Sequence, residues 1–220
     1  MSELRAVLLD LDGTLADTAP DMGAALNRVL SEHEQPPLND ARIRPYVSTG
    51  AVGLLKLAFG ADLKAPRLEQ LRERFLQIYA EQPVHHTCLF PGMTETLTRL
   101  QEAGVPWGVV TNKPARFTRP VLEGLGILEQ AACVVSGDTL SERKPHPAPV
   151  LHACQSLGLA PQQCLFVGDD RRDIIAGRGA GTVNLVALFG YLGDDGDPRT
   201  WAADGYIEQP GDILDWLETH

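Results

Sequence analysis

An α/β fold, a doubly wound parallel sheet interrupted once by a block of helices, is predicted by three features of this 220-residue chain. Short aliphatic runs, too brief for helices and stopped by Gly, Asp or Thr, read as strands buried on both faces; Ala6-Val7-Leu8-Leu9 leads them. From residue 93 onward such runs alternate with segments of helical periodicity, the signature of a parallel sheet covered by helices. Several helical patterns also separate the first strand from the next, where a strand–helix–strand crossover needs only one. Residues 17–86 are therefore expected as an inserted α-helical domain, with the sheet domain built from residues 1–16 and 87–220.

The elements follow in order. Asp17-Thr18-Ala19-Pro20 links the first strand to a helix in which Met22, Leu26, Val29 and Leu30 recur on one side, and Gln35-Pro36-Pro37 ends it. Further helices are expected from Asp40 through Val47, from Val52 to Phe59, and from Leu68 to about Tyr79, where Leu68, Leu71, Phe75 and Ile78 form a stripe. After Phe90-Pro91-Gly92 come a helix from Met93 to Ala103, a strand from Val105 to Thr111 and a helix from Ala115 to Leu125; Gly104 and Gly126 stop the two helices. Cys133-Val134-Val135-Ser136, Cys164-Leu165-Phe166-Val167 and Val183 to Leu188 are further strands, separated by helices from Pro149 to Leu157 and from Ile174 to Ala180.

Composition narrows the partners. A hydrophobic content of 44% suffices for a packed globule, and a net charge of −10 with no basic run argues against nucleic acid or an anionic membrane. No apolar stretch approaches membrane-spanning length and no signal sequence follows Met1-Ser2, so a cytoplasmic protein is expected. Cys88, Cys133, Cys154 and Cys164 lack CxxC spacing and read as reduced packing thiols.

In a doubly wound sheet ligands bind beyond the carboxyl ends of the strands, and four groups of residues fall there. Asp10 and Asp12, two apart at the end of the first strand, share a face. Their mutual repulsion calls for a cation between them or a proton on one. Thr111-Asn112 closes a second strand and offers uncharged donors to a phosphoryl oxygen, although Asn112 alone also reads as a helix cap. Lys144 precedes Pro145, which restricts its backbone and helps to aim its ammonium. Gly168-Asp169-Asp170, with Asp173, joins a strand to a helix; some of these acids cap that helix, while Asp169 completes an all-oxygen site suited to Mg²⁺.

Asp10-Leu11-Asp12-Gly13-Thr14, Thr111-Asn112, Lys144 and Gly168-Asp169-Asp170, in this order and spacing, resemble the four motifs of the haloacid dehalogenase superfamily, whose core is Rossmann-like. The resemblance spans the chain and places the helical insertion as a cap of the first type. It implies an Mg²⁺-dependent phosphatase in which Asp10 is the nucleophile, Asp12 the general acid and base, and Thr111, Asn112 and Lys144 the phosphate holders. It further implies that Asp10, Asp12 (through its carbonyl) and Asp169 bind the metal, with Asp173 and Gly168 behind them. The role of Asp170 is left open, since relatives often carry a hydroxyl residue there. Substrate choice is assigned to the insertion, where Ser48-Thr49-Gly50 is a candidate loop that also reads as an ordinary turn. Arg42, Arg44, Lys56, Arg116 and Arg119 are candidate carboxylate contacts, and His85-His86 reads as solvated.

Val110 to Phe117 and the tail Gly190-Tyr191-Leu192 through Asp195, Pro198, Trp201 and Ala203-Asp204 are similar to the phosphoglycolate phosphatase-like branch, and to its members that serve peptidoglycan recycling. The tail is expected to mark kinship and to lie away from substrate. A small phosphate ester is thus the expected partner of a monomer or weak dimer. A phosphoglucomutase-type isomerase is the nearest rival, but its cap presents a His and a Lys, a pattern that His33 and Lys56 do not make. A non-catalytic binding module is the other, and no acid or lysine of the motifs is missing.

Overall fold

The computed structural model describes residues 3–193 and 196–219; Met1-Ser2 and Asp195 of the tail lie outside them. In chain order the elements are β1 (Ala6–Leu9), β2 (Ala16–Asp17), α1 (Ala19–Glu32), α2 (Asp40–Ile43), a 3₁₀ helix (Arg44–Thr49), α3 (Gly50–Phe59), α4 (Ala65–Glu81), β3 (Cys88–Leu89), α5 (Met93–Glu102), β4 (Trp107–Val110), α6 (Ala115–Gly124), β5 (Cys133–Val135), α7 (Ala148–Ser156), β6 (Cys164–Gly168), α8 (Arg171–Ala180), β7 (Val183–Ala187), β8 (Gly205–Ile207) and α9 (Asp212–Thr219).

Six strands form one parallel sheet in the order β5-β4-β1-β6-β7-β8. β1 lies inside it, paired to β4 on one side and β6 on the other. The chain leaves β1 in one direction through β4 to β5, then crosses to β6 and runs the other way. That reversal beside β1 opens a crevice at the strand ends. The four residues of β1 are fully buried, and their period of two divides the core: Val7 and Leu9 join one apolar cluster, Ala6 and Leu8 the other. The first cluster continues into the insertion through Leu26, Val29, Leu30, Ile43, Val47, Leu54, Leu55, Leu71, Phe75 and Ile78. An apolar stripe on each inserted helix therefore ends in contact with the sheet domain.

Several details depart from the sequence reading. Pro45 breaks the expected helix from Asp40 to Val47 into α2 and a 3₁₀ segment, because proline cannot donate the backbone bond that would continue α2. Ser48-Thr49-Gly50 is accordingly not a loop: the 3₁₀ helix ends at Thr49 and α3 starts at Gly50. The antiparallel ribbon β2–β3 and the pair β8 and α9 had no clear pattern, being two or three residues of strand or a short acidic helix. All four cysteines are free, with Cys154 and Cys164 buried and Cys88 exposed on the ribbon.

Candidate active site

Asp10 and Asp12 follow β1 and both line a cavity of about 250 Å³ between the strand ends and the inserted helices. Asp10 is buried, and the Lys144 ammonium donates to its Oδ1 at 2.7 Å. The same ammonium donates to the Val110 carbonyl at 2.7 Å and pairs with Asp173 Oδ1 at 2.6 Å, so its three N–H bonds are all engaged. Burial opposes the charge on Lys144, yet Asp10 and Asp173 outweigh it and hold the group above its ordinary pKa. The lysine is aimed by Asn112, whose side chain accepts from the Lys144 N–H at 3.0 Å and donates to the Lys144 carbonyl at 2.9 Å. Thr111 is buried beside it and accepts the Lys113 N–H at 3.1 Å, leaving the hydroxyl proton to bond elsewhere.

A second buried lysine serves Asp12. Lys113 Nζ donates to Asp12 Oδ1 at 2.8 Å, and Thr18 donates its hydroxyl to the same oxygen at 2.5 Å. Among the described residues no hydrogen bond reaches Asp12 Oδ2. Lys113 also stands 4.9 Å from the centre of the Tyr79 ring. Burial works against its charge here too, and the Asp12 carboxylate more than restores it.

Asp169, just past β6, is fully buried. Its Oδ1 accepts from the Thr14 hydroxyl at 3.0 Å, and its Oδ2 from the Tyr191 N–H at 2.9 Å and the Ser48 hydroxyl at 3.2 Å. Burial, then the neighbouring Asp10 charge, pushes its pKa up to about 7. Gly13 permits this approach: it holds φ +95°, and a Cβ there would come within 2.2 Å of Asp169 Oδ2. Gly168 does the same for Asp173, whose side chain a Cβ would meet at 2.4 Å.

Asp170 and Asp173 open α8. Asp170 caps it by accepting the Arg172 N–H at 2.8 Å, and Asp173 Oδ2 accepts the Asp170 N–H at 3.1 Å. Arg172 pairs with Asp170 at 2.6 Å and donates to the Ser48 carbonyl at 2.7 Å, tying α8 to the insertion. The open question about Asp170 thus has an answer in geometry: it caps a helix and holds an arginine.

Asp10, Asp169 and Asp173 each offer an oxygen within 4.8 Å of the others. Five carboxylates here (Asp10, Asp12, Asp169, Asp170 and Asp173) face three cations (Lys113, Lys144 and Arg172), an excess of two negative charges. An all-oxygen cluster with that excess fits one hard divalent ion. Since Asp173 pairs with the Lys144 ammonium while Asp169 meets only neutral donors, Asp173 is better placed to hold the lysine than to hold the ion.

The structure therefore gathers Asp10, Asp12, Thr111, Asn112, Lys144, Asp169, Asp173 and Gly168 into one crevice. The insertion candidates Ser48, Thr49 and Gly50 all line the cavity; Ser48 also reaches Asp169, and Thr49 spends its hydroxyl on the Tyr46 carbonyl. Arg42, Arg44, Lys56, Arg116 and Arg119 do not line the cavity; Arg44 pairs with Asp17 at 2.8 Å, and Arg72 and Arg143 take the lining positions instead. His85 and His86 are exposed, and Asp21 accepts their backbone N–H groups at 2.9 Å. The tail, expected to lie apart, sends the Tyr191 N–H to Asp169. Lys113, Thr18, Arg172 and Tyr79 were missed as site residues. Only Lys113 carried a local signal, since it directly follows Thr111-Asn112 at a strand end.

A family profile described as haloacid dehalogenase-like hydrolase matches residues 7–187. Among curated proteins, a phosphoglycolate phosphatase of Xanthomonas campestris pv. campestris is 49% identical over 207 residues, 94% of this chain and 93% of that protein. An N-acetylmuramic acid 6-phosphate phosphatase of Pseudomonas aeruginosa is 41% identical over 215 residues, 98% of this chain and 95% of that one. The crystal structure of a predicted phosphoglycolate phosphatase from Haemophilus somnus matches with a TM-score of 0.87 at 30% identity, covering 98% of this chain and 99% of its own.

Proposed function

The chain belongs to the haloacid dehalogenase-like hydrolase family and is a phosphatase within it, and we propose that it is an Mg²⁺-dependent phosphomonoesterase acting on N-acetylmuramic acid 6-phosphate. Two carboxylates from one strand end, opening on one cavity and each matched to its own buried lysine, carry this reading. Residues 17–86 act as the cap domain over a core of residues 1–16 and 87–220.

In the proposed reaction a carboxylate oxygen of Asp10 attacks phosphorus in line and the bond to the leaving oxygen breaks, giving an aspartyl phosphate. Asp12 donates its proton to the departing alkoxide, then takes one from the water that attacks the intermediate; phosphate leaves and Asp10 is regenerated. Lys113 and Thr18 fix Asp12 through Oδ1, so the proton travels on Oδ2. The Thr111 hydroxyl and the Asn112 N–H hold the phosphoryl oxygens, and Lys144 joins them by turning one N–H from Asp10 to the arriving phosphate. Asp10, the Asp12 carbonyl and Asp169 would hold Mg²⁺, which supplies charge neutralisation at the phosphoryl group. Asp173 keeps Lys144 in place.

The walls of the cavity include Val47, Ala51, Val52, Phe75, Leu76 and Phe117. Such walls suit the apolar faces of an N-acetyl amino sugar, and Arg72 or Arg143 can meet its lactyl carboxylate. Under this reading the enzyme serves peptidoglycan recycling in the cytoplasm. The 49% identical relative favours a second substrate, 2-phosphoglycolate. Phosphate release from N-acetylmuramic acid 6-phosphate, 2-phosphoglycolate and hexose phosphates, measured side by side with Mg²⁺, separates the two. The highest kcat/KM is expected on the amino-sugar phosphate, and a preference for 2-phosphoglycolate overturns the substrate while leaving the chemistry standing.

A further inference from the structure

We infer that Tyr79 is a specificity-determining residue, whose phenol donates a hydrogen bond to an oxygen of the substrate's leaving group. The inference rests on the phosphatase reading above. Tyr79 lies on α4 four residues after Phe75, so both rings present one face. It is 3% exposed and lines the cavity that holds Asp10 and Asp12. Stacking on Phe75, at 6.3 Å and 18° between rings, and tilted contact with Phe117, at 5.4 Å and 49°, fix where the hydroxyl points.

That hydroxyl is the one buried side-chain N or O atom without a hydrogen-bond partner among the described residues. A buried polar atom left unpaired burdens the folded state, and phenylalanine would pack the same ring without that burden. Its surroundings say which kind of atom it awaits. The Phe75 and Phe117 rings packed against it offer no oxygen, and Asp21 is already engaged by the N–H groups of residues 85–87. Lys113, the adjacent charge, lies by the ring and carries only donors, so it cannot accept the Oη proton. Burial pushes the phenol above its ordinary pKa, so it keeps its proton. The free proton therefore needs an acceptor brought from outside. Through Lys113, Tyr79 adjoins the Asp12 side of the cavity, where the leaving oxygen departs.

Tyr79→Phe keeps both the ring and its contact with Lys113, and removes only the hydroxyl. With Mg²⁺ present, kcat/KM is measured for N-acetylmuramic acid 6-phosphate, rich in acceptors, and for phenyl phosphate, whose leaving group has no oxygen beyond the ester. The ratio of the two is expected to fall at least about tenfold in the variant, mostly through KM, while the melting temperature stays level or rises. An unaltered ratio overturns the inference, as does an equal loss on both esters, which would make Tyr79 a support for Lys113. A fall in melting temperature of several degrees overturns it too, since the hydroxyl would then have a partner within the protein. Failure of the wild type to hydrolyse any ester sinks the phosphatase reading itself and is distinguishable from all of these.

Discussion

The floor of the cavity and its wall are built on opposite physical terms. The floor, at the ends of β1, β4 and β6, is a dense set of buried ions in which single atoms serve two or three partners: Lys144 binds Asp10, Val110 and Asp173, and Asp169 is met by Thr14, Tyr191 and Ser48. The wall, from the 3₁₀ helix, α3 and α4, is apolar and partly exposed, with Arg72 at its rim held only by an i,i+3 pair to Glu69. A buried ion network tolerates no missing member, because each loss strands a charge in low dielectric. An apolar wall loses little with any one contact. Chemistry is thus held where the backbone is most constrained, and choice of substrate where it is least.

Four measurements break or sharpen that contrast. Asp10→Asn removes the proposed nucleophile with little change of shape, and kcat for phosphate release is expected to fall by about 10⁴-fold or more. Survival of more than a tenth of the activity would end the floor's claim to the chemistry. Lys144→Met strands Asp10 and Asp173 together, so about 3–5 kcal/mol of stability and roughly 10 °C in Tm should be lost in a thermal melt, alongside activity.

The third concerns the ion itself. Without metal, Asp169 has a folded pKa raised to about 7, against an ordinary value of 3.8. Between those values the unfolded chain has released the proton while the folded chain keeps it, so the folded state binds more protons and stability falls as pH rises, levelling off above about 7. Asp10 and Asp173 are displaced in the same direction by burial. In EDTA, Tm should therefore drop from pH 5 to pH 8, and the gain on adding saturating Mg²⁺ should be larger at pH 8. A gain independent of pH would remove the carboxylate cluster as the metal site. The smallest effect belongs to the wall. Arg72→Ala should raise KM for the amino-sugar phosphate several-fold with kcat nearly kept, and a fall in kcat instead would place Arg72 with the floor.

Much of the floor was legible in the chain. Asp10 and Asp12, Thr111-Asn112 and Asp169 each follow an apolar run that reads as a buried strand. The insertion was legible as helices, from the stripes on α1 and α4. Its link to the site was not. Pro45 turned an expected loop at Ser48 into the end of a 3₁₀ helix, and the Ser48–Asp169 bond joins residues 121 apart. Lys113 and Arg172 looked like ordinary charged neighbours of better-known motif positions, and the tail around Tyr191 marked kinship without pointing to the site.

By itself the sequence determined five of the six strands of the main sheet and which acids stand at their ends, since alternation, helical periodicity and Gly or Pro punctuation act over a few residues and need no partner. The tertiary structure alone decided which lysine serves which carboxylate, that Asp170 belongs to Arg172, and that the Tyr79 hydroxyl has no hydrogen-bond partner among the described residues. Those outcomes depend on side chains that meet only when the insertion packs on the strand ends, and a pairing across a hundred residues leaves no trace in local pattern.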